Sequence, residues 1–424
     1  MPRPTPRPHH KRRAVVQICQ GIQTVSQAIS QLIPRALKQR LASSLEWARL
    51  PACARAEIKA DRGGRLFNDP GATQVITPLA DWLLDAQRLS SSHDGGYARH
   101  YSIASGWGQS YPETTGYIIP TLLDVATHLH EPKYEQSART ALDWCRKIQF
   151  PDGGFQGGII NAQPLVPVTF NTGQILIGLA AGVRHFNDYH DATRRAANWL
   201  ADSLDTDGCW RRYPTPFAAR GEKTYETHVS WGLFEAARAL NDAAIGAAGL
   251  KNVAWALTKQ QANGWFADCC LSNPAAPLTH TIGYALRGII EAHRYAPSTT
   301  LLEAGEKTAQ ALLTVIEPSG RIAGCFVAQW QPAVKWSCVT GAVQIAACWF
   351  LLFEITGNKA YLEAARRANH FVRRTLHLDG PDGLRGGVKG SYPVDGDYGR
   401  FELLNWANKF AIDANLMELR HANA

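Results

Sequence analysis

The chain has 424 residues, of which 45% are hydrophobic, and a formal net charge of +8. This length and composition support a large folded core and exclude a short disordered or disulfide-stabilised peptide. Residues 1–65 contain 13 Lys and Arg against 3 Asp and Glu, a net charge of +10, so the rest of the chain has a net charge of −2. Because the basic excess is confined to this first segment, we predict that the folded body does not bind nucleic acid.

The N-terminal segment differs from the rest of the chain in composition. We predict a disordered basic arm over residues 1–13, an amphipathic helical extension over residues 14–74 and one folded catalytic domain over residues 75–424. The arm is rich in Pro and Arg and lacks the apolar stretch of a secretory signal. Either the extension docks onto an anionic membrane surface or a membrane-bound partner, or it is a solvated tail with helices that pack outside the domain.

The nine cysteines are odd in number, scattered along the chain and without a Cys-x-x-Cys pair. This pattern predicts reduced thiols and no structural metal. We therefore predict a cytoplasmic protein, either free in the cytoplasm or peripheral at the inner membrane. We also expect no cofactor. Because no run approaches 18 uninterrupted apolar residues, we predict no transmembrane helix.

From residue 77 onwards one pattern recurs six times: a charged helix-like run, a Gly-containing turn, a loop of variable length and a nearly uncharged helix-like run. The six turns lie 55 to 63 residues apart. Such a period with two helices in each unit is typical of an array of α-hairpins. The turns are Asp94-Gly95-Gly96-Tyr97, Asp152-Gly153-Gly154-Phe155, Asp207-Gly208-Cys209-Trp210, Asn263-Gly264-Trp265, Ser319-Gly320 and Asp382-Gly383.

The two helices of each unit differ in charge. First helices such as Tyr361–Leu376 are amphipathic, which predicts an outer layer facing solvent. Second helices carry almost no charge, which predicts an inner barrel. These second helices are Thr115–Ala126, Thr172–Val183, Thr281–Ile290 and Thr340–Phe353. The pattern therefore predicts an all-α (α/α)6 toroid whose inner barrel contains Gly116, Gly173, Gly283 and Gly341.

In such a ring the loops from outer to inner helices gather at one end, where the inner-helix N-termini expose N–H groups. Aromatic, acidic and basic residues cluster at these entrances, although they are not the usual helix caps. An aromatic cleft with converging polar groups suits an oligosaccharide or polysaccharide, whose ring faces stack and whose hydroxyls form hydrogen bonds. We expect the turn aromatics Tyr97, Phe155, Trp210 and Trp265 to surround this mouth. The candidate substrate-binding residues are Glu113, Asn171, Trp210, Glu226, Trp231, Trp265, Tyr284, Arg287, Trp336, Glu402 and Asn405.

Three residues are candidates for catalysis. His228 and His280 each follow a Thr at an inner-helix entrance, one repeat apart, and Tyr111 directly precedes Pro112 at another entrance. Each has a structural alternative: a buried histidine with its hydrogen bonds satisfied, or a tyrosine that fills a loop. We predict that the three side chains converge on one cavity, because all of them lie at inner-helix N-termini.

Charged residues also occur deeper in the inner helices. Arg287 lies seven residues after His280, two turns along the same helix face, so it must be paired or bind an anion. Lys409 and Asp413 are spaced i,i+4, which predicts a structural ion pair.

A resemblance follows from these features. Six-hairpin toroids with aromatic mouths resemble the carbohydrate-active (α/α)6 enzymes, which include sugar 2-epimerases, unsaturated glucuronyl hydrolases, polysaccharide lyases and the C-terminal domain of glucuronyl C5-epimerases. The segment Tyr111-Pro112-Glu113-Thr114-Thr115-Gly116 is similar to a Tyr-Pro-Thr-Thr segment before an inner helix of the C5-epimerases, and Phe170-Asn171-Thr172-Gly173-Gln174 resembles an inner helix of the same kind. Residues 1–74 do not resemble the N-terminal β-sheet domain of those enzymes.

The resemblance implies abstraction of the C5 proton of a uronic acid residue, with Tyr111 and one histidine as base and acid. Arg287 and Asn171 would hold the carboxylate, because proton loss places a second negative charge beside it. Reprotonation gives an epimerase, whereas loss of the C4 oxygen gives a lyase. We favour the epimerase.

Three alternatives stay open. A glycoside hydrolase would use two carboxylates as acid and base or nucleophile, drawn from Glu113, Glu226, Glu402, Asp395 and Asp397. Triterpene cyclases and protein prenyltransferases also form α-toroids with turns like Gln149–Phe155, but the Asp-x-Asp-Asp motif and convincing zinc partners for His280 are missing. A non-catalytic glycan-binding scaffold would have aromatic residues without an acid and base pair.

Overall fold

The computed structural model describes residues 47–422 and residue 424, and the chain divides into two compact units, Met1–Arg55 and Ala56–Ala424. The predicted arm and the predicted helices as far as residue 46 lie outside the described residues. In the first unit, the Arg55 side chain donates a hydrogen bond to the Leu50 carbonyl. The predicted boundary between residues 74 and 75 stays a prediction.

The second unit contains twelve helices that alternate between an outer and an inner layer, so the predicted (α/α)6 toroid is confirmed. A helix α1 (Ala52–Arg62) precedes them. The outer helices are α2 (Ala72–Arg88), α4 (Pro132–Ile148), α6 (His190–Ser203), α8 (Ala243–Leu257), α10 (Thr299–Leu313) and α12 (Lys359–Arg373). The inner helices are α3 (Pro112–Leu129), α5 (Thr169–Phe186), α7 (Thr227–Leu240), α9 (Thr279–Tyr295), α11 (Val339–Thr356) and α13 (Asn405–Arg420).

The ring closes through its two ends. Each of the first five inner helices packs on the outer helix that follows it, whereas the last inner helix, α13, packs on the first outer helix, α2. The inner helices contact one another in the order α3, α5, α7, α9, α11 and α13, and α13 also contacts α3. In a closed ring of six, α3 and α9 therefore stand opposite each other.

The inner helix α11 is apolar on all sides because nearly all of it is buried. In α11 every residue from Val339 to Leu352 is buried. Among the described residues, α11 is also the one helix that is long and apolar enough to span a membrane. The count of uninterrupted apolar residues in the sequence did not identify it. Burial of 78% of its length between neighbouring helices accounts for its composition.

Glycines let the inner helices approach closely. A Cβ atom at Gly116 would lie only 2.3 Å from the Cα atom of Ile175, and one at Gly173 would lie 2.5 Å from a methyl carbon of Val229. Gly341 packs in the same way on the backbone of His280. Three of the four predicted inner glycines therefore lie at helix–helix contacts where any side chain would force the helices apart. The fourth, Gly283, has a looser contact, since a Cβ atom there would lie 3.0 Å from the Gln344 side chain.

The repeated turns share one conformation. The Asp152 side chain accepts a hydrogen bond from the Gly154 N–H, and Asp94, Asp207 and Asn263 make the equivalent bond. Gly153 has φ of +102°, and a Cβ atom there would lie 2.4 Å from the Arg195 carbonyl of the next outer helix. Glycine is therefore required both by the backbone angle and by the contact.

Short strands connect the long loops at one end of the ring. Strands β1 (His100–Ser102), β2 (Gly106–Trp107) and β5 (Glu402–Leu404) form an antiparallel sheet in the order β2-β1-β5. Strands β3 (Ser337–Cys338) and β4 (Ser391–Tyr392) form a second antiparallel pair. The first sheet joins the loop before α3 to the loop before α13, and so aligns side chains from opposite ends of the sequence.

Within the second unit, a buried ionic cluster joins Glu57 and Asp61 to the segment between α12 and α13. The Lys389 ammonium lies 2.7 Å from Asp61 and 2.6 Å from Glu57, and all three residues are buried. His377 contacts the same Glu57 carboxylate at 2.8 Å. The charges of α1 are therefore compensated within the second unit.

We predict that Gly116→Ala destabilises the fold by about 1–3 kcal/mol, because the new methyl group would overlap the backbone of α5. Gly305→Ala in outer helix α10 is the matched control, since a Cβ atom there would lie 3.7 Å from its nearest neighbour, an ordinary contact. The control should be neutral or stabilising by up to about 1 kcal/mol. Urea unfolding of both variants measures the difference. Equal stabilities would contradict the proposed helix contact.

Candidate active site

A cavity of about 580 Å³ opens where the long loops meet the N-termini of the inner helices. Its polar half is formed by Arg99, Tyr111, Glu113, His280 and Tyr398. Its apolar half is formed by Ile159, Ala162, Phe217, Ala218 and Leu271. The remaining lining residues are Gly158, Gln163, Phe170, Asn171, Thr215, Tyr225, Tyr284 and Trp406.

Two tyrosines from opposite inner helices meet beneath the cavity. The hydroxyl oxygens of Tyr117 on α3 and Tyr284 on α9 are 3.3 Å apart. Both side chains are buried, and Tyr284 also lines the cavity. This contact spans the ring and gives the cavity a floor.

Tyr111 and Glu113 form a hydrogen-bonded pair at the start of α3. The Tyr111 N–H donates to the Tyr97 carbonyl, and Pro112 then begins the helix, so the loop delivers the tyrosine to the cavity. The Tyr111 hydroxyl donates to Oε2 of Glu113 over 2.9 Å. Burial raises the pKa of Glu113 to about 7, although the Tyr111 hydrogen bond and the Arg99 charge oppose this shift. Burial and the neighbouring Glu113 raise the pKa of Tyr111 well above its usual value.

Arg99 is the one Arg or Lys among the residues that line the cavity in the described chain. Its Nη1 donates to Glu402 over 2.7 Å, and its guanidinium lies 5.2 Å from the centre of the Trp406 ring. Burial alone would lower the pKa of Arg99, but the Glu402 carboxylate outweighs burial and raises it. Arg99 is therefore a fixed positive charge beside the Tyr111–Glu113 pair.

His280 enters the cavity from α9, opposite Tyr111 and Glu113. Its Nδ1 lies 2.6 Å from the amide oxygen of Gln344, an acceptor, so this nitrogen carries the proton and Nε2 keeps its lone pair. The ring packs 4.3 Å from Tyr284 and 5.2 Å from Tyr398, measured between ring centres. Burial lowers the pKa of His280 to about 4, although the Gln344 hydrogen bond opposes it. The imidazole is therefore neutral at neutral pH.

The structure does not bring His228 to the cavity surface. Its Nδ1 lies 2.6 Å from the amide oxygen of Gln174, and its ring packs 4.4 Å from Tyr284 and 6.5 Å from Phe170. Phe170 and Tyr284 line the cavity, whereas His228 is fully buried behind them. Burial, with the charges of Arg287 and Lys409, lowers its pKa well below the usual value. The expectation that His228 converges on the cavity with Tyr111 and His280 is thus corrected.

Arg287 also lies away from the cavity. Its Nε donates to Glu291 over 2.8 Å, and its guanidinium packs 4.1 Å from the centre of the Trp231 ring. Because Arg287 is not among the residues that line the cavity, it does not serve as the substrate's counter-charge. Lys409 and Asp413 form the predicted ion pair.

The other predicted polar residues have different surroundings. Asn171 lines the cavity, and its Nδ2 has no hydrogen-bond partner among the described residues. Glu402 accepts a hydrogen bond from Arg99 and does not line the cavity. The Asn405 side chain donates to the Ala98 carbonyl and to Thr114. Glu226 does not line the cavity, and burial raises its pKa to about 8.

The predicted ring of turn aromatics is wrong. Tyr97, Phe155, Trp210 and Trp265 are buried and do not line the cavity. The backbone N–H of Phe155 donates to the Thr172 hydroxyl, which turns the chain inward at the helix entrance. These aromatics therefore pack between the layers of the toroid. The two other candidate tryptophans, Trp231 and Trp336, do not line the cavity either.

The residues that sequence reasoning missed come mainly from the long loops. Arg99, Phe217 and Tyr398 lie in loops that differ from repeat to repeat, so periodicity does not select them. Trp406 follows Asn405 as the second residue of α13, the position that His280 has in α9, and this was the available signal. Among the described residues, no group of three or more His, Cys, Asp or Glu is arranged to hold a metal ion.

Comparison with known proteins supports the fold. The sequence matches no protein-family profile and no curated protein. Solved structures with a similar fold include an unsaturated glucuronyl hydrolase specific for heparin, at 12% identity and a TM-score of 0.67 over 83% of this chain and 98% of that one. A cellobiose 2-epimerase from Bacillus thermoamylovorans is 11% identical, with a TM-score of 0.62 over 86% of this chain and 98% of its own. A D-mannose isomerase is 10% identical, with a TM-score of 0.65 over 82% and 97%.

We predict that Glu113 makes the stability of the protein fall as pH rises. Burial raises its pKa from 4.5 to about 7, so between these values the unfolded chain releases a proton that the folded chain retains. Glu113→Gln removes this titration, and the melting temperature of the variant should rise relative to wild type from about pH 4 to about pH 8. Scanning calorimetry across this range provides the measurement. A difference that does not change with pH would show that the Glu113 carboxyl is not desolvated.

Proposed function

We propose that the protein is a carbohydrate-active enzyme that abstracts the C5 proton of a uronic acid residue and acts as an epimerase. The observation that carries the proposal is the placement of proton-transfer groups on opposite inner helices. The Tyr111–Glu113 pair enters the cavity from α3 and His280 enters from α9. A sugar ring held between these helices would have such a group at each face, as inversion at carbon requires.

The chemistry divides between these groups. On one face the Tyr111 oxygen takes the C5 proton while its own proton passes to Glu113, whose pKa of about 7 suits a base at neutral pH. On the other face neutral His280 takes the C5 proton of the opposite epimer on Nε2, while protonated Glu113 supplies a proton to C5 through Tyr111. The imidazolium formed in this direction is the acid that reprotonates C5 when Tyr111 and Glu113 act as the base. The two routes work in opposite directions, so each face serves one of the two epimers.

The positive charge of Arg99 supports a uronic acid substrate. Loss of the C5 proton places a second negative charge on the carboxylate group, and a fixed guanidinium in a partly buried site stabilises that charge. Arg99 takes the role that sequence reasoning gave to Arg287. Asn171 supplies an amide N–H with no other partner, which suits a carboxylate or hydroxyl oxygen.

The paired-carboxylate hydrolase has less support. Of the five carboxylates considered for it, only Glu113 lines the cavity in the described chain. Glu402 is paired with Arg99 and Asp395 with Arg62, so neither is free to activate water. The solved structures of similar fold include both an unsaturated glucuronyl hydrolase and a cellobiose 2-epimerase, so the fold does not distinguish the two activities.

Incubation with uronic acid oligosaccharides in deuterated water tests the proposal. An epimerase incorporates deuterium at C5 and yields both epimers, whereas a lyase produces unsaturated sugars that absorb ultraviolet light. A hydrolase releases reducing ends without deuterium at C5. The last result, or no reaction with any uronic acid glycan, would overturn the proposal.

We predict that Tyr111→Phe lowers the rate of C5 deuterium exchange by about 10²–10⁴-fold, because it removes the oxygen that transfers the proton. Glycan binding should change little, since the ring is retained. Tyr134→Phe is the matched control: its hydroxyl donates to Asp81 in the outer layer, far from the lining residues. Exchange rates by NMR distinguish the variants. Wild-type exchange in Tyr111→Phe would remove this residue from the mechanism.

We predict that Arg99→Gln weakens binding of a glucuronide by at least about tenfold and has little effect on the matching glucoside, because only the glucuronide carries a charge to pair. Calorimetric titration of both ligands gives the ratio. Arg184→Gln, which removes an exposed cation paired with Glu235, controls for net charge. If the ratio is unchanged in Arg99→Gln, the carboxylate does not bind Arg99.

A further inference from the structure

The apolar half of the cavity is not explained by proton transfer to a sugar. Its side chains come from the loops that precede α5, α7 and α9, three consecutive members of the inner ring. They are Ile159, Ala162, Phe217, Ala218 and Leu271. The polar exceptions on these loops are Gln163 and Thr215. A wall of this composition offers a hydrocarbon surface beside a polar site.

Phe217 is the largest member of this wall and is unusually exposed. It is 54% exposed, although most large apolar side chains of the described chain are buried. Its ring lies against Gly158, where a Cβ atom would come within 2.6 Å of the Phe217 ring and 2.8 Å of Ala162. The glycine therefore lets the two loops meet, and the exposed ring marks the place where the apolar half opens to solvent.

Backbone hydrogen bonds hold these loops in place. The Ile160 N–H donates to the Ser110 carbonyl over 2.8 Å, and the side-chain amide of Gln156 donates to the carbonyls of Ile159 and Ile160. The Ala219 N–H donates to the Leu271 carbonyl over 2.9 Å. The apolar wall is therefore preformed, which lowers the entropy cost of binding a ligand against it.

The chemistry of this wall argues against a second sugar. Sugar hydroxyls placed against Ile159, Ala162 and Leu271 would lose hydrogen bonds to water without replacement, which is costly. A hydrocarbon chain in the same position would gain by leaving water, in proportion to the area it buries. The cavity volume lies within the range of about 300–1,000 Å³ that pockets for drug-sized ligands show, so it has room for more than one monosaccharide.

We infer that the substrate is a saccharide bonded to a hydrocarbon aglycone, such as a lipid-linked sugar, rather than a bare polysaccharide. The sugar occupies the polar half, and the first carbons of the chain lie along the apolar half and leave past Phe217. The uronic acid part of this substrate rests on the proposed function, whereas the aglycone part rests on the apolar half alone.

Binding of paired ligands tests the inference without requiring turnover. Calorimetric titration with methyl and octyl β-glucuronide, below the micelle concentration, gives a ratio of affinities. Octyl glucuronide should bind wild type at least about tenfold more tightly, because several methylene groups become buried. A ratio near one would overturn the inference.

Two variants test where the hydrocarbon chain of the ligand binds. Phe217→Ala should reduce the ratio to below about threefold, and Ala218→Asp should do the same by placing a charge in the wall. Leu165→Ala is the matched control, since Leu165 is 55% exposed but does not line the cavity, and its ratio should equal that of wild type. If neither Phe217→Ala nor Ala218→Asp lowers the ratio, the chain binds elsewhere and the inference is wrong.

A second ligand pair separates this inference from the proposed function. Methyl and octyl β-glucoside carry the same aglycones without the carboxylate. If the octyl preference holds for both sugars while neither glucuronide exchanges its C5 proton, the apolar half binds an aglycone but the proposed C5 chemistry fails. If C5 exchange proceeds without an octyl preference, the proposed function stands and the aglycone inference fails.

Discussion

The close contact between inner helices determines the rest of this structure. Gly116, Gly173 and Gly341 allow neighbouring helices to approach at backbone distance, so the ring they enclose is narrow. A narrow ring is what lets the hydroxyls of Tyr117 and Tyr284, from opposite helices, come within 3.3 Å of each other. The cavity then has a floor, and side chains at the helix entrances face one another above it. Larger residues at the glycine positions would widen the ring and separate these groups.

The floor also divides the charges of the barrel into two sets. Below it, the pairs Arg287–Glu291 and Lys409–Asp413 satisfy each other, so their burial does not leave an isolated charge. Above it, the Tyr111–Glu113 pair is adjacent to a single cation, Arg99. The positive charges below still act on buried His228, whose pKa they help to lower, and this keeps it neutral behind the aromatic residues. The groups assigned to proton transfer in the proposed function all belong to the upper set.

The fold was predictable because it depends on a repeated local signal, whereas the site depends on details that do not repeat. Asp-Gly turns and uncharged second helices indicate the ring, and the helix entrances correctly select Tyr111, Glu113 and His280 as cavity residues. His228 occupies the same position in its helix as His280, but it bonds to Gln174 on the preceding inner helix, whereas His280 bonds to Gln344 on the following one. Spacing along a helix does not reveal which neighbour a side chain approaches. Spacing also does not show how deep a side chain lies in the barrel. Arg287 is two helical turns from the entrance and there forms an ion pair with Glu291.

Closure of the ring has a consequence for biosynthesis. The first outer helix, α2, is synthesised well before its packing partner, α13. Arg99 and Glu402 are likewise separated by 303 positions before they meet. The nascent protein can form hairpins one by one, yet the apolar face of α2 stays uncovered until α13 has been synthesised. The contact between Arg99 and Glu402 at the cavity and the covering of that face therefore form at the same late stage of folding, and a chain without α13 exposes a surface that chaperones and proteases can recognise.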